Sequence, residues 1–230
     1  MNQTNLHVLF EDNHLIAINK PSGVLIQGDK TGDKPLSEIV KEYLVSKYSK
    51  SGEAYLGVPH RIDRPTSGLI LFAKTSKALV RLNSMFQNKE IEKTYWAVVK
   101  QKPKEDSATL IHHLLRNPQK NKSVAHAKEV KGSKEAELNY KVLLSLDNYH
   151  LLEVYPKTGR HHQIRSQLAA IGCPIKGDVK YGFNRTNADA SIHLHARSIS
   201  FIHPVKKEKI KISAPPPSKD AVWKAIIKNR

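Results

Sequence analysis

The chain has 230 residues, with 38 Lys and Arg against 21 Asp and Glu, a net charge of +17 at pH 7 with histidine neutral. A hydrophobic fraction of 39% and a charged fraction of 26% are those of an ordinary globular protein; the lone cysteine, Cys173, excludes an intrachain disulfide, and no apolar run approaches a membrane span. Excess base favours a polyanionic partner through counterion release and steering, without separating RNA from DNA or an anionic surface.

Taken in chain order, MNQTNLHVLFED lacks the charged start and apolar core of a signal peptide. Two short strands follow, His7 to Phe10 and Leu15 to Lys20, joined by turn residues, and Pro21-Ser22-Gly23 breaks the pattern. From about Ser37, the spacing of Leu36, Ile39, Val40, Tyr43 and Leu44 predicts a helix. Leu69 to Lys74 reads as a buried strand, and Ser76 as the cap of a helix with Leu79, Leu82, Met85 and Phe86 on one face. Thr94 to Val99, Ala136 to Leu146 and Tyr149 to Tyr155 read as strands, and His161 to Ile171 as a helix ended by Gly172 and Pro174. Ile192 to Phe201 and Lys209 to Ile212 are further strands, and Ser218 can cap a last helix carrying Val222, Trp223 and Ile226. Strands that outnumber helices and often follow one another predict an α+β fold: a mixed, largely antiparallel β-sheet core flanked by helices, in a single domain over 1–230. No G-x-G-x-x-G follows a strand and no P-loop is present. Two segments concentrate base: Arg116 to Lys134 with six bases and one acid, and His203 to Arg230 with eight bases and two acids.

Three segments can carry chemistry. In PHRIDRPTSGLILFAKT, Pro59 to Thr75, Pro65 biases Arg64 to an extended conformation and Gly68 can take positive φ. Asp63 therefore sits on a tight connection into a buried strand, between Arg61 and Arg64, whose charges favour its ionised form as a nucleophile or base. By spacing alone, an ordinary turn residue paired with an arginine is the simpler account. In PKTGRHHQIRSQLAAIGCPIKGD, Pro156 to Asp178, Arg165 flanks the apolar stripe Ile164, Leu168 and Ile171 and needs an anion, either a carboxylate such as Asp63 or a phosphate. Lys157 and Arg160 precede that helix, whose N-terminus also attracts phosphate; Lys157 alone reads as a surface base. In KTYWAVVK, Tyr95 and Trp96 point to opposite faces of a strand, so one can pack inward while the other stacks on a base.

At these segments the chain resembles the RluA-type pseudouridine synthases. HRIDRPTSGLILFAKT is similar to their catalytic signature, H-R-L/I-D-x-x-T-S-G-L/V. The resemblance continues through VLFEDNHLIAINKPSGV, KTYWAVV, TGRHHQIRSQLAAIG with PIKGDVKYG, and IHLHARSISFIHP, from about Val8 to the proline run. It implies the fold of that catalytic domain and isomerisation of a uridine within rRNA or tRNA to pseudouridine, with no cofactor. Asp63 would be the catalytic carboxylate, Tyr95 would stack on the uracil, Arg165 would pair with the aspartate, and Arg61 would fill the gap left by the flipped nucleotide. Arg64, Lys157 and Arg160 are expected to bind RNA phosphates. His161 stands where many members have threonine, with little effect expected because Gln163 and Arg165 are retained. The chain begins almost at the first motif, leaving no room for the S4-type RNA-binding domain of some relatives. A cytoplasmic enzyme without a membrane or obligatory protein partner is expected. A metalloenzyme built on His112-His113, His161-His162 or His193 with His195 is disfavoured, because no cysteine or carboxylate cluster accompanies them. A purely RNA-binding protein would not require Asp63, Tyr95 and Arg165 together.

Overall fold

The computed structural model describes residues 6–29 and 31–229. The chain divides into two compact units, one formed by Met1–Glu92 and Ala196–Pro216, the other by Lys93–His195 and Pro217–Arg230.

The first unit holds strands β1 (Val8–Glu11), β2 (Leu15–Lys20) and β3 (Ser67–Ala73) and helices α1 (Leu36–Lys47) and α2 (Ser76–Gln87). β1 pairs antiparallel with β2, and β2 with β3. Strand β9 (Leu194–Ile202), which enters this unit at Ala196, follows β3 in the sheet and pairs antiparallel with β10 (Lys209–Ser213). The two-residue period of a strand explains the layers. Leu15, Ala17, Leu69, Leu71 and Ala73 face one way and pack with Ala78, Leu82 and Met85 of α2. Ile16, Ile18, Ile70 and Phe72 face the other way and pack with Leu36, Val40 and Leu44 of α1. A sheet buried on both faces reads as a continuous apolar run, as LIAI and LILFA do.

The second unit repeats this plan. Strands β4 (Glu92–Val99), β5 (Ser107–Asn117), β6 (Lys122–His126), β7 (Lys134–Ser145) and β8 (His150–Pro156) run in the order β4-β8-β7-β5-β6, each ladder antiparallel. Helix α3 (Gln163–Ala170) covers one face with Ile164 and Leu168 against Ala97, Leu110, Leu138 and Leu152. Helix α4 (Ala221–Lys228) covers Trp96, Val98 and Leu151 with Trp223 and Ile226. The expected α+β fold with a largely antiparallel sheet is the one present.

Several sequence expectations need correction. The cap of α2 is Thr75, whose side chain accepts a hydrogen bond from the Ala78 amide; Ser76 is already helical. The cap of α4 is Asp220 and not Ser218: its Oδ1 accepts from the Val222 and Trp223 amides, and His193 Nε2, 2.8 Å away, fixes the carboxylate there. Helix α3 starts at Gln163, two residues later than expected, because His162 is left-handed, with φ 52°. The hairpin β5–β6 was not foreseen. Leu110, Ile111, Leu114 and Leu115 follow helical spacing, whereas the strand exists through its ladder with the distant β7. The basic segment Arg116 to Lys134 includes the hairpin's turn and β6. Arg230, the last base of the other segment, lies outside the described residues.

Candidate active site

In the first unit, the connection into β3 is held from beneath by the connection leaving β2. Lys20 is completely buried at the end of β2. Its Nζ donates to the carbonyls of Pro21, Val24 and Arg64 at 3.0, 3.0 and 3.1 Å, three acceptors for the three protons of an ammonium. Burial pushes the Lys20 amine down to about 7, against the pull of the nearby Asp63 charge. The Gly23 amide donates to the Arg64 carbonyl and Ser22 Oγ to the Pro65 carbonyl, both at 2.8 Å. The Thr66 amide closes a turn on the Asp63 carbonyl at 3.0 Å. Just upstream, His60 Nε2 accepts from the Leu71 amide at 3.0 Å, and the ring packs on Phe86. Asp63 is thus half-buried on a main chain tied down on both sides. Beyond the turn, Gly68 has φ +112°, as its role in the connection demands, and lies close against the main chain of Ala196.

Arg61 and Arg64 flank this connection and are exposed. Arg64 is partly committed: Nε donates to the Gly23 carbonyl and Nη2 bridges to Asp33 Oδ2 at 2.6 Å.

The second unit carries Tyr95, Lys157, Arg160 and Arg165. Tyr95 lies opposite Val154 in the β4–β8 ladder and is half-buried, while its neighbour Trp96 is buried against α4 on the other face. The end of β8 leads into the loop of Lys157 and Arg160, both exposed. Gln163 locks that loop. Its Oε1 accepts from Thr158 Oγ1 and from the Arg160 amide, and its Nε2 donates to the Glu137 carbonyl. Arg160 Nε donates to the Glu135 carbonyl.

Arg165 is only 4% exposed and forks onto Asp178, 1% exposed, through Nε to Oδ2 at 2.7 Å and Nη2 to Oδ1 at 2.9 Å. The anion that a buried arginine requires thus includes a carboxylate the sequence reading did not single out. The guanidinium also lies 5.1 Å from the ring centre of Tyr181. Tyr181 Oη donates to His162 Nδ1 at 2.9 Å, and burial, followed by the charge of Arg165, holds the His162 imidazole down at about 2, a neutral acceptor. Lys20, Asp178, Tyr181 and His162 were all missed as contributors. Asp178 and Tyr181 stand in PIKGDVKYG, and the signal that could have found Asp178 was the need of Arg165 for a nearby carboxylate.

Of the histidines weighed as metal ligands, His193 pairs instead with Asp220 and stacks on Trp223, with ring centres 5.2 Å apart. Burial lowers its basicity, with Asp220 pulling the other way.

Residues 14–170 match the family model described as RNA pseudouridylate synthase. The ribosomal large subunit pseudouridine synthase C of Buchnera aphidicola is 36% identical over 92% of this chain and 68% of that protein. The tRNA pseudouridine synthase C of Vibrio cholerae is 30% identical over 96% of this chain and 94% of its own length. The structure of human RNA pseudouridylate synthase domain containing 4 aligns with a TM-score of 0.76 at 23% identity, covering 92% of this chain and 88% of that one, a likeness of fold. The chain belongs to the RNA pseudouridylate synthase family and is an RNA pseudouridine synthase, an isomerase.

Proposed function

We propose that the protein converts a specific uridine of ribosomal or transfer RNA to pseudouridine in the cytoplasm, with Asp63 as the catalytic carboxylate and the target nucleotide flipped out of its stack. The observation that carries this reading is the half-buried Asp63 on a connection pinned by Lys20, Ser22 and the turn to Thr66, within a segment matching the family's signature. A rigid connection holds a reactive group at one geometry and spares the cost of ordering it at each turnover. The relatives compared above, by name, act one on the ribosomal large subunit and the other on tRNA. Among the described residues no helix is long and apolar enough to cross a membrane.

The isomerisation breaks the bond from ribose C1′ to uracil N1, forms one from C1′ to C5, releases the C5 hydrogen as a proton, and leaves N1 carrying a proton taken up in its place. Substrate and product are isomers, so the balance needs no donor, acceptor or cofactor. Asp63 serves by attack on the sugar or the base, or by taking a proton from the sugar; all three require an ionised carboxylate next to an extruded nucleotide. Extrusion costs a few kcal/mol, and stacking on Tyr95 would return about 1–3 kcal/mol. Arg165 would keep the carboxylate ionised and oriented, Arg61 would occupy the vacated stack, and Arg64, Lys157 and Arg160 would hold phosphates. A single catalytic domain over 1–230 is part of this reading.

Tritium release from C5-labelled uridine in unmodified ribosomal and transfer RNA transcripts tests this. Wild type should release tritium from one class, and Asp63→Asn should lose at least about 10³-fold in rate while keeping RNA affinity. Full activity in Asp63→Asn would remove Asp63 from the mechanism.

A further inference from the structure

A side-chain cluster of the second unit takes no part in the proposed chemistry. It joins the β5–β6 hairpin to the loop that leads into α3. Ser123, the second residue of β6, is 2% exposed. Its amide donates to Tyr181 Oη at 2.9 Å and its Oγ donates to the His161 carbonyl at 2.8 Å. A hydroxyl has one proton, so Ser123 Oγ must accept from His161 Nδ1–H, 2.9 Å away. The other ring nitrogen, Nε2, lies 3.1 Å from Asn121 Oδ1. An imidazolium donates to that oxygen, and a neutral ring protonated on Nδ1 accepts from the NH₂ group once the amide is turned over; both keep the contact. His161 thereby holds the two residues that flank Lys122.

The rest of the cluster fixes the same point. Asn121 occupies the hairpin turn with φ 44°, and its carbonyl accepts from Lys180 Nζ at 3.2 Å. The His161 ring stacks on His162 with ring centres 3.8 Å apart. Lys122 Nζ lies 5.1 Å from the centre of the Tyr181 ring that also carries Arg165. In the strand order β6 is a terminal strand paired with β5, so the ladder alone leaves its outer side unsupported. The hairpin carries Arg116 near the end of β5, Lys120 in the turn and Lys122 at the start of β6.

We propose that His161 is a positioning residue for the RNA: with Ser123 and Asn121 it clasps the hairpin to the α3 loop, so that the phosphate-binding bases of the hairpin stand in fixed register with Arg165. The inference rests on the RNA-modifying reading and adds to it a specificity-determining clasp. A hairpin ordered in advance spares the cost of immobilising several long basic side chains and their strand on binding.

The test measures affinity for the same unmodified transcripts and steady-state tritium release, for wild type, His161→Ala, His161→Asn, Asn121→Ala and the double variant His161→Ala/Asn121→Ala. His161→Ala should weaken affinity and raise KM by about tenfold while kcat stays within about twofold, the signature of lost uniform binding. His161→Asn can still donate to Ser123 Oγ and should recover part of the loss. The double variant should be no weaker than His161→Ala, because one contact joins the pair. Equal affinity of wild type and His161→Ala, a loss confined to kcat, or fully additive losses would overturn the clasp. If wild type releases no tritium, the isomerase reading fails, while weaker RNA binding by His161→Ala still supports the clasp. If His161→Ala does not fold, His161→Asn and Asn121→Ala decide in its place: unchanged affinity in both overturns the proposal, and a loss in Asn121→Ala larger than in His161→Asn supports it.

Discussion

At Gly68, an added Cβ would stand 2.4 Å from the Ala196 carbonyl oxygen at a φ of +112°. Both the conformation and the space exclude a side chain, and the obstacle is main chain, which cannot rotate aside. Gly68→Ala should therefore cost about 3 kcal/mol or more in urea unfolding, beyond the usual glycine-to-alanine effect, and should disturb the connection carrying Asp63. A variant as stable as wild type would show that β3 can move away from β9. Arg165 poses the complementary case of a buried charge with a specific partner. Removing the carboxylate in Asp178→Ala takes away the two charge-assisted bonds it makes to this buried guanidinium, at an expected cost of about 3–5 kcal/mol by denaturant titration. Arg165→Lys should not restore function, since an ammonium cannot make the two parallel bonds seen to Asp178.

At the scale of elements, the connections matter more than the strands they join. The Asp63 connection depends on Lys20, which bridges main-chain carbonyls across 44 residues of sequence to Arg64. Lys20→Met preserves much of the volume but takes the donor from the Pro21 and Val24 carbonyls, each worth about 1–3 kcal/mol when left unsatisfied, while the Arg64 carbonyl keeps the Gly23 amide. It should lower stability measurably and reduce the rate of isomerisation more than RNA affinity. Loss of affinity alone would mean that the connection keeps its shape without the amine. Cap strength is a milder test of the same kind. Thr75→Ala should cost about 1 kcal/mol by removing the acceptor for the Ala78 amide, whereas Ser76→Ala should be nearly silent.

For the whole molecule, the net charge of +17 predicts RNA binding that weakens as salt rises, and the acid side of its stability curve has identifiable sources. Burial by itself would raise the Glu11 carboxyl, but hydrogen bonds from Lys47, Lys74, Tyr48 and Tyr43 hold it down at about 2, below its ordinary 4.5. A carboxyl depressed in the folded state stabilises the protein above its unfolded value and loses that contribution as pH falls through the folded one. Stability should therefore decline between about pH 4.5 and pH 2, with Glu11 responsible for on the order of 1–3 kcal/mol after solvent screening. His162 acts in the same direction from a higher pH, because the unfolded chain takes up its proton near 6.5 while the buried ring stays neutral. Thermal melts from pH 7 to pH 2.5 on wild type and Glu11→Gln check this: the variant should be less stable at neutral pH and flatter below pH 4.5. Parallel curves for the two proteins would assign the acid sensitivity to other carboxylates.

The amino-acid sequence by itself determined the apolar runs of β2 and β3, the amphipathic stripes of α1 and α2, the positive φ of Gly68 and the signature segment around Asp63, because each is written in neighbouring residues whose period or backbone freedom has one local solution. Only the tertiary structure decided the rest. The β5–β6 hairpin exists because β7 lies beside it, against a local pattern that reads as helix. Asp178 becomes the partner of Arg165, and Lys20 the support of Arg64, through burial that brings together groups distant in sequence and forces each polar atom to find a partner. His161 gains its role in the same way, from Ser123 and Asn121, some 40 residues away along the chain, placed against its two ring nitrogens by the packing of the hairpin on the α3 loop.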